Sequence, residues 1–235
     1  MNKGKLYLIP APLGDGAPSD VIPAPVLELL QHIDCYVVEE VRTVRRYLSR
    51  AGLKGHIEEL EFHELNEHTA PAEIAPLVHL FDNGRDVGLI SEAGLPAVAD
   101  PGSALVALCH REGIEVVPLV GPSSLMLALM ASGLNGQSFA FVGYIPAKTE
   151  ERRAAIRRLE KRSAAERQTQ ILIETPYRNE RLLADLVRLL PPHLRLCVAT
   201  DITGPAERIV TRTIGQWSGS ALQVGKVPTI FLLYK

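Results

Sequence analysis

The sequence predicts an α/β protein built from two α/β lobes, with a mainly parallel sheet in the first lobe, a mixed sheet in the second and a ligand cleft between them. Short apolar runs alternate with longer segments of helical period, which is typical of strands joined by crossover helices. Near the end of the chain the strands follow one another closely, and this spacing favours some antiparallel pairing. We place the domain boundary so that residues 1–120 form the first lobe and residues 121–235 the second.

Nine short apolar runs predict the strands. Turn residues bound them, and many are rich in valine, isoleucine and aromatic side chains. In chain order they are LYLI (6–9), CYVVE (35–39), VGLIS (87–91), EVVPLV (115–120), FAFVGY (139–144), QILIE (170–174), RLCVAT (195–200), ERIVTRTI (207–214) and TIFLLY (229–234).

Segments between these runs predict helices. The first, residues 23–33, begins with prolines that suit a first helical turn, and it places Val26, Leu29, Leu30 and Ile33 on one face. Three further segments each end at glycine, as helices often do. They are PAEIAPLVHLFDNG (71–84), PGSALVALCHREG (101–113) and PSSLMLALMASG (122–133). The last is apolar enough to be either core or part of a subunit interface.

Composition excludes several classes of protein. The chain has 235 residues and 46% hydrophobic content, but it has no apolar run long enough to span a bilayer. Because its first residues lack the apolar region of a signal peptide, we expect a cytoplasmic protein. Cys35, Cys109 and Cys197 are far apart in apolar runs, which predicts buried thiols. A formal net charge of -2 requires any nucleic-acid partner to use a local basic patch.

Three loops follow predicted strands: IPAPLGDG (9–16), SEAGLPAVADPG (91–102) and VGPSS (120–124). In open α/β sheets, ligands bind beyond the carboxyl ends of the strands, so these loops are candidate binding loops. Glycines such as Gly94 and Gly102 let the backbone approach a ligand closely. None of the loops has the spacing of a phosphate-binding glycine motif.

A plainer interpretation of the same loops stays open. The second loop is equally compatible with simple entry into a helix, with Asp100 as its N-cap and Pro101 in its first turn. Ser123 or Ser124 is likewise compatible with a helix cap and no other role.

The three loops, in this order, carry a resemblance to a known family. Together with VEEVRTVRRYL (38–48), IPAKTEERRAAIRRLE (145–160) and IETPYR (173–178), they resemble the tetrapyrrole methylase family of S-adenosylmethionine-dependent methyltransferases. Within it the chain is most similar to the branch that methylates a ribose 2'-hydroxyl of 16S ribosomal RNA. The resemblance runs from Lys5 to the end and implies a homodimer with S-adenosylmethionine in the cleft between the lobes. The motif positions that it assigns to cofactor binding are Pro10, Glu92, Ala93, Leu95, Ser123, Ser124, Ile173, Ala199 and Thr229.

Methyl transfer from a sulfonium requires few catalytic side chains. Alignment of the reacting atoms supplies most of the acceleration and no metal is needed, although a hydroxyl nucleophile gains from a general base. The candidate bases are Glu67 and two residues after the second predicted strand, Glu39 and Glu40. An alternative stays open for Glu39 and Glu40, namely that they are solvent-exposed residues at the end of a strand with no catalytic role. The segment FHELNEHTA (62–70) lacks the HExxH spacing of a metal site, and we interpret it as a substrate-side loop.

Arg42, Asn66 and Arg178 are the predicted substrate contacts. Residues 148–167 contain eight basic and four acidic side chains, a local net charge of +4, which is compatible with RNA binding or with a solvated helix holding internal ion pairs. Three functions remain open: methylation of ribosomal RNA, methylation of a tetrapyrrole or other small molecule, and S-adenosylmethionine binding without transfer.

Overall fold

The computed structural model describes residues 3–219 and 223–235. The chain divides into two units, Met1–Ser123 (unit 1) and Ser124–Lys235 (unit 2), and each contains its own five-stranded sheet. The division falls three residues after the boundary that we placed from the sequence.

Unit 1 is a parallel α/β unit. Its strands are Leu6–Leu8 (β1), Cys35–Val38 (β2), Glu61–Glu64 (β3), Val87–Ile90 (β4) and Val116–Pro118 (β5). Its helices are Ala24–Leu30 (α1), Val41–Leu48 (α2), Pro71–Ile74 (α3) and Ser103–Arg111 (α4), with short 3-10 or π turns at Pro18–Asp20, Ser49–Leu53, Ile57–Glu59 and Ala75–Gly84. The strand order is β3-β2-β4-β1-β5, and every pair is parallel.

The central strands are the most apolar part of unit 1. All four residues of β2 and of β4 are buried, as expected for parallel strands covered on both faces. In α1, Val26 and Leu30 are buried as predicted, and Leu29 packs against the same cluster. Because the chain leaves β1 toward one edge and later crosses from β4 to β5 at the other, the strand order reverses between β1 and β4. Ligands of open α/β sheets bind at such a reversal.

Unit 2 is a mixed unit. Its strands are Phe139–Gly143 (β6), Thr169–Glu174 (β7), Arg195–Thr200 (β8), Arg208–Thr213 (β9) and Thr229–Tyr234 (β10), in the order β6-β7-β10-β8-β9. Its helices are Ser124–Ser132 (α5), Thr149–Glu166 (α6), Asn179–Leu189 (α7) and Ile214–Ser218 (α8), with a 3-10 turn at Pro176–Arg178. Only β6 and β7 pair in parallel; the other three pairs are antiparallel. The predicted fold class, one parallel sheet and one mixed sheet, is confirmed.

Two large buried polar side chains in unit 2, Arg152 and Trp217, have matched partners. The Arg152 guanidinium, 3% exposed, binds the Asp185 carboxylate at 2.6 Å, and Arg188 binds the other oxygen of Asp185. Trp217 is buried and donates its indole N–H to the Leu196 carbonyl at 2.9 Å. Such pairing is what a buried charge or polar group needs in order not to destabilise the fold.

Three sequence predictions about local structure need correction. The polar run Glu61–Glu64 forms edge strand β3, so residues 62–64 of the predicted substrate-side loop are strand. The predicted helix 71–84 is a single α-turn followed by the 3-10 segment Ala75–Gly84, since Pro76 has no N–H to continue the α-helical pattern. Asp100 does not cap a helix, because α4 starts at Ser103 and its N-cap is Gly102.

Other local predictions are confirmed. Gly113 and Gly133, which follow the ends of α4 and α5, both have positive φ angles, as expected for glycines that end helices. The three cysteines are buried free thiols. Among the described residues, no helix combines the length and apolar character that a bilayer crossing requires.

Candidate active site

The carboxyl edge of the unit 1 sheet gathers the unit 1 residues that the sequence singled out. Neighbouring parallel strands end at one edge, so their exit loops lie side by side in strand order. From one side of the sheet to the other, these residues are Asn66 and Glu67 after β3, Glu39 and Glu40 after β2, Glu92, Ala93 and Leu95 after β4, Pro10 after β1, and Ser123 after β5. Ser124 begins α5, the first helix of unit 2.

The loops after β1 and β4 are joined by their backbones. Ala11 and Gly94 form an isolated antiparallel bridge, with N–H···O distances of 2.9 and 3.0 Å. The loop after β5 packs against the first of these, because a Cβ placed on Gly121 would lie 2.1 Å from the Pro10 Cβ. The three loops therefore form one assembly, in which only glycine fits at the closest approach.

Gly94 lies where all three loops meet. Its φ angle of +74° belongs to the left-handed region that favours glycine. A Cβ built on Gly94 would lie 3.2 Å from Cδ2 of Leu13, in the first loop, and 3.8 Å from the Pro122 carbonyl oxygen, in the third. The backbone at this position is thus both conformationally special and closely surrounded.

Glu39 and Glu40 are adjacent in sequence but occupy different environments. Burial raises the pKa of Glu39, and the nearby carboxylates of Glu92 and Glu67 raise it further, although the Glu92 N–H donates to it at 3.4 Å. Glu40 is instead the N-cap of α2. Its carboxylate accepts from the hydroxyl and N–H of Thr43 and from the N–H of Arg42, and the hydroxyl bond is the largest cause of its lowered pKa. This geometry favours Glu39 over Glu40 as a proton acceptor.

Asp100 is a site residue that sequence reasoning missed. Burial raises its pKa to about 6, with a further contribution from the Glu39 carboxylate, so the two acids lie near one another. The loop reaches this position through Ala97 and Ala99, which both have positive φ angles, 64° and 66°, that alanine rarely adopts. Alanine does not indicate a left-handed conformation, so the sequence could not predict that this loop brings Asp100 close to Glu39. The only sequence signal was the presence of an acid in the loop.

A pocket of about 180 Å³ opens in unit 1 beside these loops. Arg46 of α2, Arg50 of the π turn Ser49–Leu53 and Glu92 of the loop after β4 contribute to its wall. The guanidinium of Arg50 donates to the carbonyl oxygens of Asp15 and Gly16, which fixes the first loop against this π turn. Arg46 has no ion-pair partner in the part of the chain that the structure describes. The pocket therefore offers both cationic donors and a carboxylate acceptor.

The side chains of the three predicted substrate contacts differ in their exposure and in the hydrogen bonds or ion pairs that they already form. Arg42 is exposed in the first turn of α2. The Asn66 side-chain oxygen accepts from the His68 N–H at 2.9 Å and shapes its own loop. Arg178 is ion-paired with the buried carboxylate of Glu174 at 2.6 Å, so its charge is largely compensated within unit 2.

The three sheet residues of unit 2 that the resemblance assigns, Ile173, Ala199 and Thr229, lie in two rows of the sheet. Ile173 and Ala199 flank Ile230 across β7, β10 and β8, so these side chains share one face. Thr229 is one residue before Ile230 and points to the other face. Its hydroxyl accepts from the Asn179 amide at 3.0 Å and donates to the Val227 carbonyl, which leaves its backbone as the group free to contact a ligand.

His63 and Glu61 belong to a separate cluster near the amino ends of the strands. The His63 ring nitrogen lies 2.7 Å from the Glu61 carboxylate, and potential ligand atoms of Cys35, Glu61 and His63 lie within 4.8 Å of one another. The Arg85 guanidinium binds Glu61 at 2.5 Å and Asp34 at 3.0 Å. Because the Arg85 guanidinium binds both Glu61 and Asp34, we interpret the cluster as an ion-pair network. It lies at the edge of the sheet opposite the loops.

Comparisons with known proteins agree on the family. A model of the family described as Tetrapyrrole (Corrin/Porphyrin) Methylases matches residues 5–217. A relative from Escherichia coli O157:H7 named Ribosomal RNA small subunit methyltransferase I is 32% identical over 92% of this chain and 71% of its own length. A relative of the same name from Neisseria meningitidis MC58 is 33% identical, over 91% of this chain and 69% of its own length.

Solved structures of low sequence identity share the fold. The methyltransferase CobJ superposes with a TM-score of 0.66 at 19% identity, covering 99% of this chain and 94% of its own. Uroporphyrin-III C-methyl transferase from Thermus thermophilus, complexed with S-adenyl homocysteine, gives a TM-score of 0.56 at 20% identity, over 99% of this chain and 98% of its own.

Proposed function

The chain belongs to the tetrapyrrole (corrin/porphyrin) methylase family, and on this premise we propose that it transfers the methyl group of S-adenosylmethionine to a ribose 2'-hydroxyl of ribosomal RNA. The observation that carries the proposal is the assembly of three loops around Gly94 at the carboxyl edge of the unit 1 sheet. The names of the curated relatives support ribosomal RNA as the acceptor.

The residues present fit the cofactor that the family uses. A Cβ has no room at Gly121 and would be crowded at Gly94, so the loops pack closely at these glycines and would present backbone groups to the cofactor. Unit 1 would contribute Pro10, Glu92, Ala93, Leu95 and Ser123, and unit 2 would contribute Ser124, Ile173, Ala199 and the Thr229 backbone. When bound, S-adenosylmethionine supplies a methyl group on a positively charged sulfur, which is a good leaving group.

Glu39 is the residue that we propose as the general base. Its partial burial and its acidic neighbours raise its pKa, which makes it a better proton acceptor than an ordinary glutamate. It would take the proton of the ribose 2'-hydroxyl as that oxygen attacks. The Asp100 carboxyl lies near Glu39 and interacts with it electrostatically, so the two acids would form one cluster. A positioned base of this kind contributes roughly a hundredfold to ten-thousandfold in rate.

The substrate would lie along the α2 side of this edge. The pocket beside Glu92 includes Arg46, which would bind phosphate oxygens of the substrate, while Arg50 holds the first loop in place. Arg42 and Asn66 would extend this contact surface, and Arg178 would contribute from unit 2 while remaining paired with Glu174.

A homodimer in the cytoplasm, where ribosomal RNA is made and modified in bacteria, completes the proposal. Helix α5 buries Leu125 and Leu129 but leaves Met126 and Met130 exposed, at 44% and 77%. Exposed large apolar side chains on an apolar helix are typical of subunit interfaces. Light scattering should give the mass of two chains, and a mass of one chain would exclude the dimer.

Transfer of a labelled methyl group tests the proposed function. The purified protein is incubated with S-adenosylmethionine carrying a labelled methyl, together with either total RNA or a tetrapyrrole mixture. We expect label in RNA only. Label in the tetrapyrroles would refute the acceptor, binding of S-adenosylhomocysteine without any transfer would indicate a binding protein, and absence of binding would refute the cofactor site.

A further inference from the structure

A groove of about 330 Å³ lies between α6 and α7 of unit 2, and arginines from both helices line it. Arg153 and Arg157 come from α6, one helical turn apart, and Arg188 comes from α7. The remaining lining residues are Glu150, Ala154 and Leu189. The groove is built from unit 2 alone and contains none of the residues assigned to the cofactor or to catalysis.

The acids around the groove do not balance its cations. Glu150 binds Arg153 at 2.6 Å, and Asp185 is shared between Arg188 at 2.5 Å and the buried Arg152. Arg157 has no ion-pair partner within residues 3–219 and 223–235. Four guanidinium groups thus face two carboxylates, which leaves a local charge of +2.

The ion pairs elsewhere on α6 follow the same local pattern as the Glu150–Arg153 pair. Lys148 pairs with Glu151 near the start of α6, and Arg162 pairs with Glu166 near its end, in the i, i+3 and i, i+4 geometry of an ordinary solvated helix. This pattern leaves Arg157 without an ion pair among the described residues, and Arg157 lies four residues after Arg153, a spacing at which like charges repel. An anion bound between them would offset that repulsion.

We propose that this groove binds a backbone phosphate of single-stranded RNA. Guanidinium groups match phosphate oxygens in a bidentate geometry, and three of them converge here from two helices. Ala154 and Leu189 provide an apolar floor against which a ribose can pack. The inference rests on the proposed function only in naming RNA as the source of the phosphate, and it assigns unit 2 a substrate-docking role separate from methyl transfer.

Salt-dependent binding of a labelled 12-nucleotide RNA of mixed sequence tests the groove. Fluorescence anisotropy is measured over a series of salt concentrations for the full-length wild type, Arg157→Gln, and the double variant Arg153→Gln with Arg157→Gln. The control is Arg162→Gln, which removes one positive charge from the same helix outside the groove. Thermal unfolding establishes that each variant is folded.

We expect Arg157→Gln to weaken RNA binding about fivefold and to lower the slope of log K against log salt by about 0.7, the value for one phosphate contact on a single strand. The double variant should lose more, and the control should stay within twofold of wild type. Equal slopes for wild type and the double variant, an equal loss in the control, or no RNA binding by the wild type would each overturn the inference.

Failure of the groove and failure of the proposed function give different results. Methyl transfer to RNA by the wild type, combined with unchanged RNA binding in the double variant, would refute the groove alone. Methyl transfer to tetrapyrroles, combined with the expected loss of RNA affinity in the groove variants, would refute the acceptor and retain the groove. S-adenosylhomocysteine affinity should be the same in all four proteins, since none of the altered residues is assigned to the cofactor.

Discussion

Replacement of Gly94 by valine should abolish cofactor binding while leaving most of the fold intact. At φ +74°, a residue with a Cβ costs about 1–2 kcal/mol, and a β-branched side chain costs more. The new Cβ starts 3.2 Å from Leu13 Cδ2, and the two valine methyls extend further into the space where the three loops meet. We therefore expect a loss of about 3 kcal/mol in the free energy of unfolding, which lowers the Tm by roughly 6–12 °C in a chain of this size.

Isothermal titration calorimetry with S-adenosylhomocysteine measures the effect on the site. Gly94→Val should show no detectable binding, and Gly94→Ala, which adds only the Cβ, should weaken the affinity at least tenfold. Gly55→Val is the matched control in unit 1, because a Cβ there meets no atom within 4 Å and its φ angle is not in the left-handed region. Wild-type affinity in a folded Gly94→Ala or Gly94→Val variant would refute the assignment of this loop to the cofactor.

Three other predictions follow from the pKa shifts and ion pairs. Glu40→Ala should lower the Tm through loss of the α2 N-cap while retaining the methyl-transfer rate, whereas Glu39→Gln should lower that rate at least a hundredfold. Equal rate losses in the two variants would contradict their separate roles. Burial raises the pKa of Asp100 from 3.8 to about 6, so the folded state holds this proton more tightly and stability falls as the pH rises between these values. Relative to wild type, Asp100→Asn should therefore gain about 1 kcal/mol of stability between pH 4 and pH 7, allowing for partial solvent screening. A difference in Tm that does not change with pH would disprove the burial of this carboxyl. Asp185→Asn leaves the buried Arg152 without its carboxylate and should cost about 3–5 kcal/mol in urea unfolding; a loss below about 1 kcal/mol would show that the pair is not buried as described.

Strands with continuous apolar sequence could be predicted closely. The runs 195–200 and 229–234 match β8 and β10 residue for residue, because buried strands bounded by turn residues carry a strong pattern. The edge strand β3 could not be found in this way. Its sequence, EFHE, is largely polar, and it pairs with β2 on one side only, so it has no hydrophobic run to reveal it.

The proximity of the three candidate loops could be predicted from the sequence, but the roles of neighbouring residues in them could not. The carboxyl-edge rule placed three loops together, and the Ala11–Gly94 bridge joins two of them. Which of Glu39 and Glu40 caps a helix depends on where α2 begins, and helix boundaries are weakly specified by sequence. Asp100 depends on two alanines in left-handed conformations, which side-chain chemistry does not predict.

The position of the transferred methyl group tests the central claim most directly. Ribosomal RNA labelled by the protein is hydrolysed in alkali, which requires a free 2'-hydroxyl at each cleaved linkage. Methylation at the ribose 2'-oxygen blocks that cleavage, so we expect label in alkali-stable dinucleotides. Label recovered in single nucleotides would mean methylation of a base, and label absent from RNA would mean a different acceptor; either result would contradict a ribose 2'-O-methyltransferase.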